Sequence, residues 1–535
     1  MLPSNDEMSS LKETRIPIWL VLGLGTLAYC YFYLHYPALP GNNLEYPRGW
    51  WGWFDQGEYI KAAAAIEAGD FSPAKHTYPP LYPAIGSLFM SVLPVHPFFF
   101  FNLVGLLAFA SVFVAFATRY MSQLEAVALL AVSLYFNEII IVNFAIPWTT
   151  TGTTLIYAIT IFQLLQRSKQ ERPIGPLAME SAKAFLFSGV FSLLVILRPV
   201  DAGAAAVFYP AYQYFSIKRL GGAEAHRRNA LLFAQTLALG AGLLIGLGLF
   251  LLFNLKVHGH ALGGYFKSTA TSSGYFPLEL ARKSFSLVFD SNTVFLEPEG
   301  SLITHFPWLI LSLTGVIAAL VRGPAMLRVM AAAICLQFCL YAPYGDLLPN
   351  GVYRYYNIHY FKWMFPFLAF FGWLVVRWIF ESPAVPWAKG IAIRMLLVLI
   401  AVLALLAPQY KVKPASPIAL EQIGPDNQIA FSANGDGIDF IDFQSMTGGF
   451  NEIYFGNHHL LADGKPLNRI KEFRLLPAPW GVRVFFNRRV RAKEFLLTPD
   501  KGLTLLPDAL KIKASTYRFS LGRPRLIHDK PAEAH

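Results

Sequence analysis

Apolar residues run along this chain in long stretches, broken by short joints that carry the charge. Only beyond residue 408 does the pattern shorten to strand-like runs. Apolar stretches of about 20 residues read as membrane-spanning helices. The pattern predicts spans at about 16–36, 97–117, 124–142, 151–166, 182–198, 202–216, 230–254, 304–321, 325–342, 361–378 and 390–408. The first is longer than a signal-peptide core and no small-x-small cleavage site follows it, so an uncleaved anchor is expected. Residues 81–95 are also apolar but short for a span, and Pro79, Pro80 and Pro83 gather at their start. A helix lying along or dipping into the outer surface suits them better.

The last 120 or so residues differ, with charges, scattered Gly and Pro, and β-type runs at 428–432, 438–443 and 482–486. Such runs bounded by turn residues predict a small strand-rich domain. The expected fold is thus an α-helical polytopic membrane protein of about 11 transmembrane helices, with juxtamembrane helices in its first outer loop and a small extracytoplasmic strand-rich α/β C-terminal domain. The expected boundaries are 1–408 for the transmembrane domain, with the first outer loop at about 37–96, and 409–535 for the C-terminal domain. No internal repeat or low-complexity tract is evident.

Composition agrees with a membrane protein. Charged residues make up 14% of the chain and hydrophobic residues 55%, whereas soluble domains carry about 25% charged residues. The net charge of +11 is mostly an orientation signal. With a cytoplasmic N-terminus, every inside joint holds Lys or Arg, as in Arg167, Lys169 and Arg172 or Lys218, Arg219, Arg227 and Arg228. That is the positive-inside pattern, and no nucleic-acid partner is implied. Counting 81–95 as a span would put the 218–228 cluster outside. Cys30, Cys335 and Cys339 lie in apolar segments, so no disulfide framework is expected. The outside loops lack an Asn-x-Ser/Thr acceptor, which favours a bacterial inner membrane with the C-terminal domain in the periplasm.

The outside joints collect the polar residues that suit chemistry. After the first span come Trp50, Trp51 and Trp53, then Asp55, Glu58 and Tyr59, and further on Lys75, His76 and Tyr78. Trp and Tyr favour the membrane–water boundary, where an acid can meet a lipid-linked substrate. Asp55 and Tyr59 are four apart and share a helical face if the predicted helix of 59–68 extends back that far. Glu58 is either a second acid or the polar face of that helix. Arg198 ends a span, so it either snorkels to the interface or binds an anion, with Asp201 as a local partner. Lys256, Arg354, Tyr355 and Lys362 stand in two later outer joints, where an aromatic cluster serves equally as an interfacial anchor. A leaving phosphate wants Arg or Lys, and an acceptor hydroxyl wants a carboxylate to take its proton. His258 and His260 are two apart and have no third ligand, so no metal site is predicted. Phosphate loops, Ser/His/Asp triads and zinc Cys patterns are absent.

In their order along the chain these elements resemble the multi-spanning glycosyltransferases of the GT-C superfamily, which include protein O-mannosyltransferases and the aminoarabinose transferases of lipid A. The matching elements are the acid-bearing loop 54–63, the Tyr-Pro-Pro-Leu-Tyr-Pro segment 78–83, Leu197-Arg198-Pro199, the segments 254–259 and 300–307, and Arg354-Tyr355 before 362–366. The likeness covers about 16–400 and is sharpest in 50–117. It implies a polyprenyl-phosphate sugar as donor and Asp55 near the reacting centre. Family members often carry a second acid after the third span; residues 143–149 contain none.

The sequence thus predicts an integral-membrane glycosyltransferase that moves a monosaccharide from a polyprenyl-phosphate carrier to a hydroxyl of a glycan, lipid or protein acceptor. Asp55 is the expected base. Arg198, Lys256, Arg354 and Lys362 are candidates for the phosphate; Glu58, Tyr59, Lys75, His76, Tyr78 and Tyr355 are candidates around the sugar. Direct displacement implies inversion. No soluble cofactor is needed, because the bond energy travels with the lipid, and a divalent metal stays open. The rivals are a lipid-linked-glycan flippase or transporter and a polysaccharide ligase or polymerase. Transporters place ionisable groups midway through spans, and here such groups gather on one face.

Overall fold

A computed structural model describes residues 17–35, 54–169, 175–219, 225–266, 280–289, 302–306, 308–344, 357–381 and, with short gaps, 408–521. The chain divides into two compact units. One comprises Met1–Lys267, Leu311–Tyr341 and Ile358–Trp378; the other comprises Ser268–Ile310, Ala342–Asn357 and Ile379–His535.

The first unit is helical. Its helices are α1 (Ile18–Leu34), α2 (Phe54–Glu67), α3 (Leu81–Ser87), α4 (Phe99–Ala117), α5 (Gln123–Leu130), α6 (Glu138–Ala145), α7 (Thr149–Ser168), α8 (Leu177–Leu197), α9 (Pro199–Ala204), α10 (Phe208–Lys218) and α11 (Ala225–His258), followed by α12 (Leu309–Arg322), α13 (Ala325–Tyr341) and α14 (Met364–Glu381). Among the described residues α4, α8 and α11 are long and apolar enough to cross a membrane, and the bent pair of 123–135 and 138–145 makes a fourth if it is one span. The protein is therefore an integral membrane protein. Helices α1, α12, α13 and α14 are apolar but shorter, and the span predicted at 390–408 lies outside the described residues.

Three departures from the predicted pattern have local causes. The helix expected from Tyr59 begins at Phe54, because the alanine-rich stretch 62–65 and the apolar face of Tyr59, Ile60 and Ala63 carry it back over Asp55. The surface helix expected over 81–95 stops at Ser87, and turns lead on to Pro94 and Pro97, which disfavour helix in the residues before them. Tyr82 anchors it, stacked on Phe98 at 4.3 Å and donating to Asn102 Oδ1 at 3.0 Å. The continuous span predicted at 124–142 is broken. A π-helical turn at Ala131–Tyr135 ends α5, and Asn137 restarts the chain as α6 by accepting from the Ile140 N–H at 3.3 Å, with a bend of 73°. An unpaired N-terminal N–H is what an Asn cap satisfies.

Helices α8 and α11 lie against each other along a seam of small residues, as membrane helices do where backbones approach closely. A Cβ on Gly246 would meet the Ser192 carbonyl oxygen at 2.0 Å, and one on Gly242 the Phe185 oxygen at 2.6 Å. The Gly246 N–H donates to Ser192 Oγ at 3.1 Å, and Ser188 Oγ to the Leu239 oxygen at 2.5 Å. Gly246→Ala is expected to cost about 1–3 kcal/mol by overpacking, read as a lower thermal midpoint in detergent. Gly240 has open space around it, so Gly240→Ala should be neutral or gain about 1 kcal/mol of helix propensity. Equal midpoints for the two variants would remove the seam from the account.

Among its described residues the second unit holds the short helices Leu280–Val288 and Leu302–His305 and the strand-rich tail. Its strands are β1 (Pro408–Lys413), β2 (Pro417–Ile418), β3 (Leu420–Ile423), β4 (Ile429–Ser432), β5 (Ile438–Gln444), β6 (Met446–Thr447), β7 (His459–Ala462), β8 (Lys465–Leu467), β9 (Phe473–Ala478), β10 (Gly481–Val490), β11 (Glu494–Thr498), β12 (Thr504–Leu505) and β13 (Lys511–Leu521). The predicted runs 428–432, 438–443 and 482–486 fall in β4, β5 and β10. One sheet runs β1-β13-β5-β10-β9, with β2 paired to β13, and another β3-β4-β11-β7-β8; all the pairs are antiparallel. Ile429, Phe431, Phe443, Val484 and Phe495 build its core. Arg483 and Asp442, opposite in register on β10 and β5, form a bidentate pair at 2.6 and 2.9 Å. The β7–β8 turn is Asp463-Gly464, both at positive φ, the backbone a two-residue hairpin requires.

Candidate functional site

Asp55 lies in the first turn of α2, and the segment between α2 and α3 folds back across that helix. The Tyr78 hydroxyl donates to Asp55 Oδ1, and one helical turn further on the Thr77 hydroxyl donates to Glu58 Oε2. Glu58 also pairs with Lys61 at 3.4 Å. Tyr59 is buried, its ring 5.1 Å from Tyr78 and 5.4 Å from Tyr82. The Tyr78 ring also meets Tyr265 at 5.7 Å. Burial, and after it the Asp55 charge, pushes the phenols of Tyr59 and Tyr78 well above the usual tyrosine value. Both keep their protons at physiological pH, so Tyr78 serves Asp55 as a fixed donor.

The Thr149 hydroxyl, at the start of α7, borders Tyr59 and accepts from Arg198 Nη1 at 3.1 Å. Arg198 sits at the break between α8 and α9, with an extended backbone that Pro199 follows as the first residue of the next helix. It does not snorkel: its side chain is 11% exposed and pairs with Asp201 at 3.3 Å, the local partner expected from sequence. Its guanidinium also donates to the Tyr341 hydroxyl at 2.9 Å and lies 4.7 Å over the Tyr360 ring.

Asp201 is the hub of this network, a role the sequence did not suggest. Fully buried, it accepts from Thr153 Oγ1 and the Tyr341 hydroxyl, each at 2.5 Å, and from Gln337 Nε2 at 3.2 Å. Tyr157 ties its backbone oxygen to Gln337, at 3.0 Å each. The readable signal was the Arg198–Asp201 spacing of three across a helix-breaking proline. Thr149, Gln337 and Tyr341, on helices distant in sequence, left no such mark.

Lys362 is buried close by. Its ammonium donates to the Asn143 oxygen at 2.8 Å and to Thr151 Oγ1 at 2.6 Å, on the same end of α7 as Thr149. His359, a further residue missed from sequence, stacks on Trp148 at 3.8 Å, and both its ring nitrogens are buried without a hydrogen-bond partner among the described residues. The structure thus gathers Asp55, Tyr59, Tyr78, Arg198 and Lys362 around the start of α7.

Two predicted residues belong to another cluster. His76 is buried, with Nε2 2.8 Å from the Asp70 oxygen and its ring against Phe71 and Phe253. Lys256, exposed at the end of α11, lies 5.0 Å over the Phe71 ring. Lys75 is exposed in a 3-10 turn beside His76. Arg354 and Tyr355 lie outside the described residues. Among the described residues no group of three or more His, Cys, Asp or Glu is arranged to hold a metal ion.

No family model matches the chain, and no curated protein does. Among solved structures it is similar to ArnT from Cupriavidus metallidurans bound to undecaprenyl phosphate, at 12% identity and a TM-score of 0.40. The match covers 72% of this chain and 65% of that one, so the chain spans just under two thirds of that protein's length.

Proposed function

We propose that the protein is an integral-membrane glycosyltransferase of GT-C type, which transfers a monosaccharide from a polyprenyl-phosphate carrier to an acceptor hydroxyl of a glycan, lipid or protein. The chemistry takes place on the periplasmic face of a bacterial inner membrane, in the domain 1–408, with the C-terminal domain 409–535 on the same side. The observation that carries this is the chain of contacts from a carboxylate, Asp55, through Tyr78, Tyr59 and Thr149 to a buried guanidinium, Arg198. It puts a proton acceptor and an anion holder in one polar network.

In the reaction Asp55 takes the acceptor's hydroxyl proton as that oxygen attacks the anomeric carbon. The bond from that carbon to the phosphate oxygen breaks, its electron pair leaves with the lipid phosphate, and the anomeric configuration inverts. Arg198 and Lys362 hold the departing charge; Lys256 and Arg354 stay candidates for the phosphate from the sequence alone. Tyr59 and Tyr78, beside Asp55, flank the sugar, with Glu58 one helical turn further on; Lys75, His76 and Tyr355 stay candidates for it from the sequence alone. The test offers the purified protein a panel of radiolabelled polyprenyl-phosphate monosaccharides with membrane acceptors. Release of label from one donor class supports the proposal. Movement of intact lipid-linked sugar across a vesicle, with no bond cleaved, would make the protein a flippase instead.

A further inference from the structure

Three histidines meet where α11 ends, and the proposed reaction moves none of their protons. His258 closes α11 past Lys256, beyond the apolar stretch of that helix, and its imidazole donates to the His76 backbone oxygen. His76, on the segment between α2 and α3, is buried and donates through Nε2 to the Asp70 oxygen at 2.8 Å. Exposed His260 lies 6.2 Å from His258 between ring centroids. Its Nδ1 accepts from the Gly263 N–H at 3.1 Å.

That last bond exists only while His260 is neutral. A protonated imidazole carries N–H on both nitrogens, so charging His260 sets one donor against another. The turn it closes is tight. Gly259 and Gly263 both sit at positive φ, and a Cβ on Gly263 would meet Asn254 Oδ1 at 2.2 Å. Asn254 Nδ2 donates to the Ala261 oxygen at 3.1 Å, a bond that pH does not touch. His258 leans the same way as His260. Burial, and after it the charges of protonated His260 and His76, lowers its pKa below the usual histidine value, against the pull of the His76 oxygen. Above about pH 6.5 the folded and unfolded chains both hold such a group neutral. Below it the unfolded chain binds the proton first, so acid lowers the stability of the fold.

The other titratable groups here are Asp70, Lys75 and Tyr78 of the α2–α3 segment, Lys256 of α11 and Tyr265 of the turn itself. Asp70 Oδ1 is engaged by the Ser72 N–H at 2.9 Å, and Lys256 lies over the Phe71 ring. Among the described residues no carboxylate bonds His258 or His260 to favour their charged forms. The turn also reaches the candidate site. Its Tyr265 packs on Tyr78 at 5.7 Å, Tyr78 donates to Asp55, and His76 stands two residues before Tyr78. We propose that the turn 259–266 is an acid-released latch: protonation of His258 and His260 breaks the closure at Gly263 and takes Tyr265 off Tyr78. At neutral pH Tyr78 is clamped on Asp55, and in acid the clamp loosens. The latch stands apart from the transferase reading; only its consequence for sugar transfer rests on that reading.

The test is amide hydrogen exchange of the detergent-purified full chain, read by mass spectrometry and corrected for the intrinsic rate at each pH. Between about pH 7.5 and about pH 5.5, where histidines change charge, the wild-type peptide 255–266 is expected to lose about tenfold in protection, the factor one pKa unit is worth. The peptides of α4 should keep theirs. His260→Asn retains a side-chain oxygen that accepts from turn N–H groups and cannot be charged; joined with His258→Gln, it should hold its protection at both pH values. His260→Asn alone alters an exposed side chain and should cut the loss to about threefold, which decides the matter should the double variant not fold. Equal wild-type protection at the two pH values overturns the latch, as does a full tenfold loss in His260→Asn. A loss that α4 shares is global unfolding and overturns it too. None of these readings needs a sugar donor, so failure of the transferase proposal would leave them standing.

Discussion

Asp55→Asn is expected to abolish sugar transfer and leave the protein folded. Asn presents a carbonyl oxygen where Asp presents Oδ1, so the Tyr78 hydroxyl keeps its acceptor. What disappears is the capacity to take a proton. General-base assistance is worth about two to four orders of magnitude, so turnover with the active donor should fall by that much. The thermal midpoint should move by no more than a surface substitution moves it. Near-normal turnover would remove Asp55 from the mechanism. Turnover lost together with the thermal transition would reduce it to a structural residue.

The second large effect is on stability. Asp201→Ala takes away the acceptor of Thr153, Tyr341 and Gln337 and the counter-charge of Arg198 in one step. Removing one partner of a buried ion pair costs about 3–5 kcal/mol, and the three stranded donors push the cost to the upper end. The full-length protein in detergent should show a much lower thermal midpoint. Asp201→Asn keeps the acceptors while losing the charge, so it should fall between Ala and wild type. An unchanged midpoint in the Ala variant would mean that Arg198 is held by Thr149 and the tyrosines alone.

Charge placement made part of this site readable. Asp55 and Arg198 stood out because each ends or follows an apolar run, and both lie in the network. Tyr59 was legible from its spacing of four from that acid, and Tyr78 from the aromatic, proline-rich segment 78–83 that follows it. Asp201 was visible only as a neighbour of Arg198, since its other partners come from α7 and α13, a join that tertiary packing alone makes. The break at Asn137 was hidden because hydropathy stays high on both sides of it. The sign was present all the same, as an Asn followed directly by Glu138 is a helix-start signature inside what reads as one span. The strands of the tail were legible because β-type runs of five or six residues bounded by turn residues are a short-range pattern. Their order was not, since β13 pairs with β1 and β5 across long stretches of sequence.

Helix α11 also acts as a depth gauge. Its uncharged middle, residues 230–253, is about 36 Å long, with Arg227 and Arg228 at one end and Lys256 at the other. A helix so flanked floats at one level and can tilt only within the observed range. The glycine seam fastens α8 to it without slack, and α8 ends on Arg198. The register between the two helices thus ties the level of the guanidinium to the ends of α11.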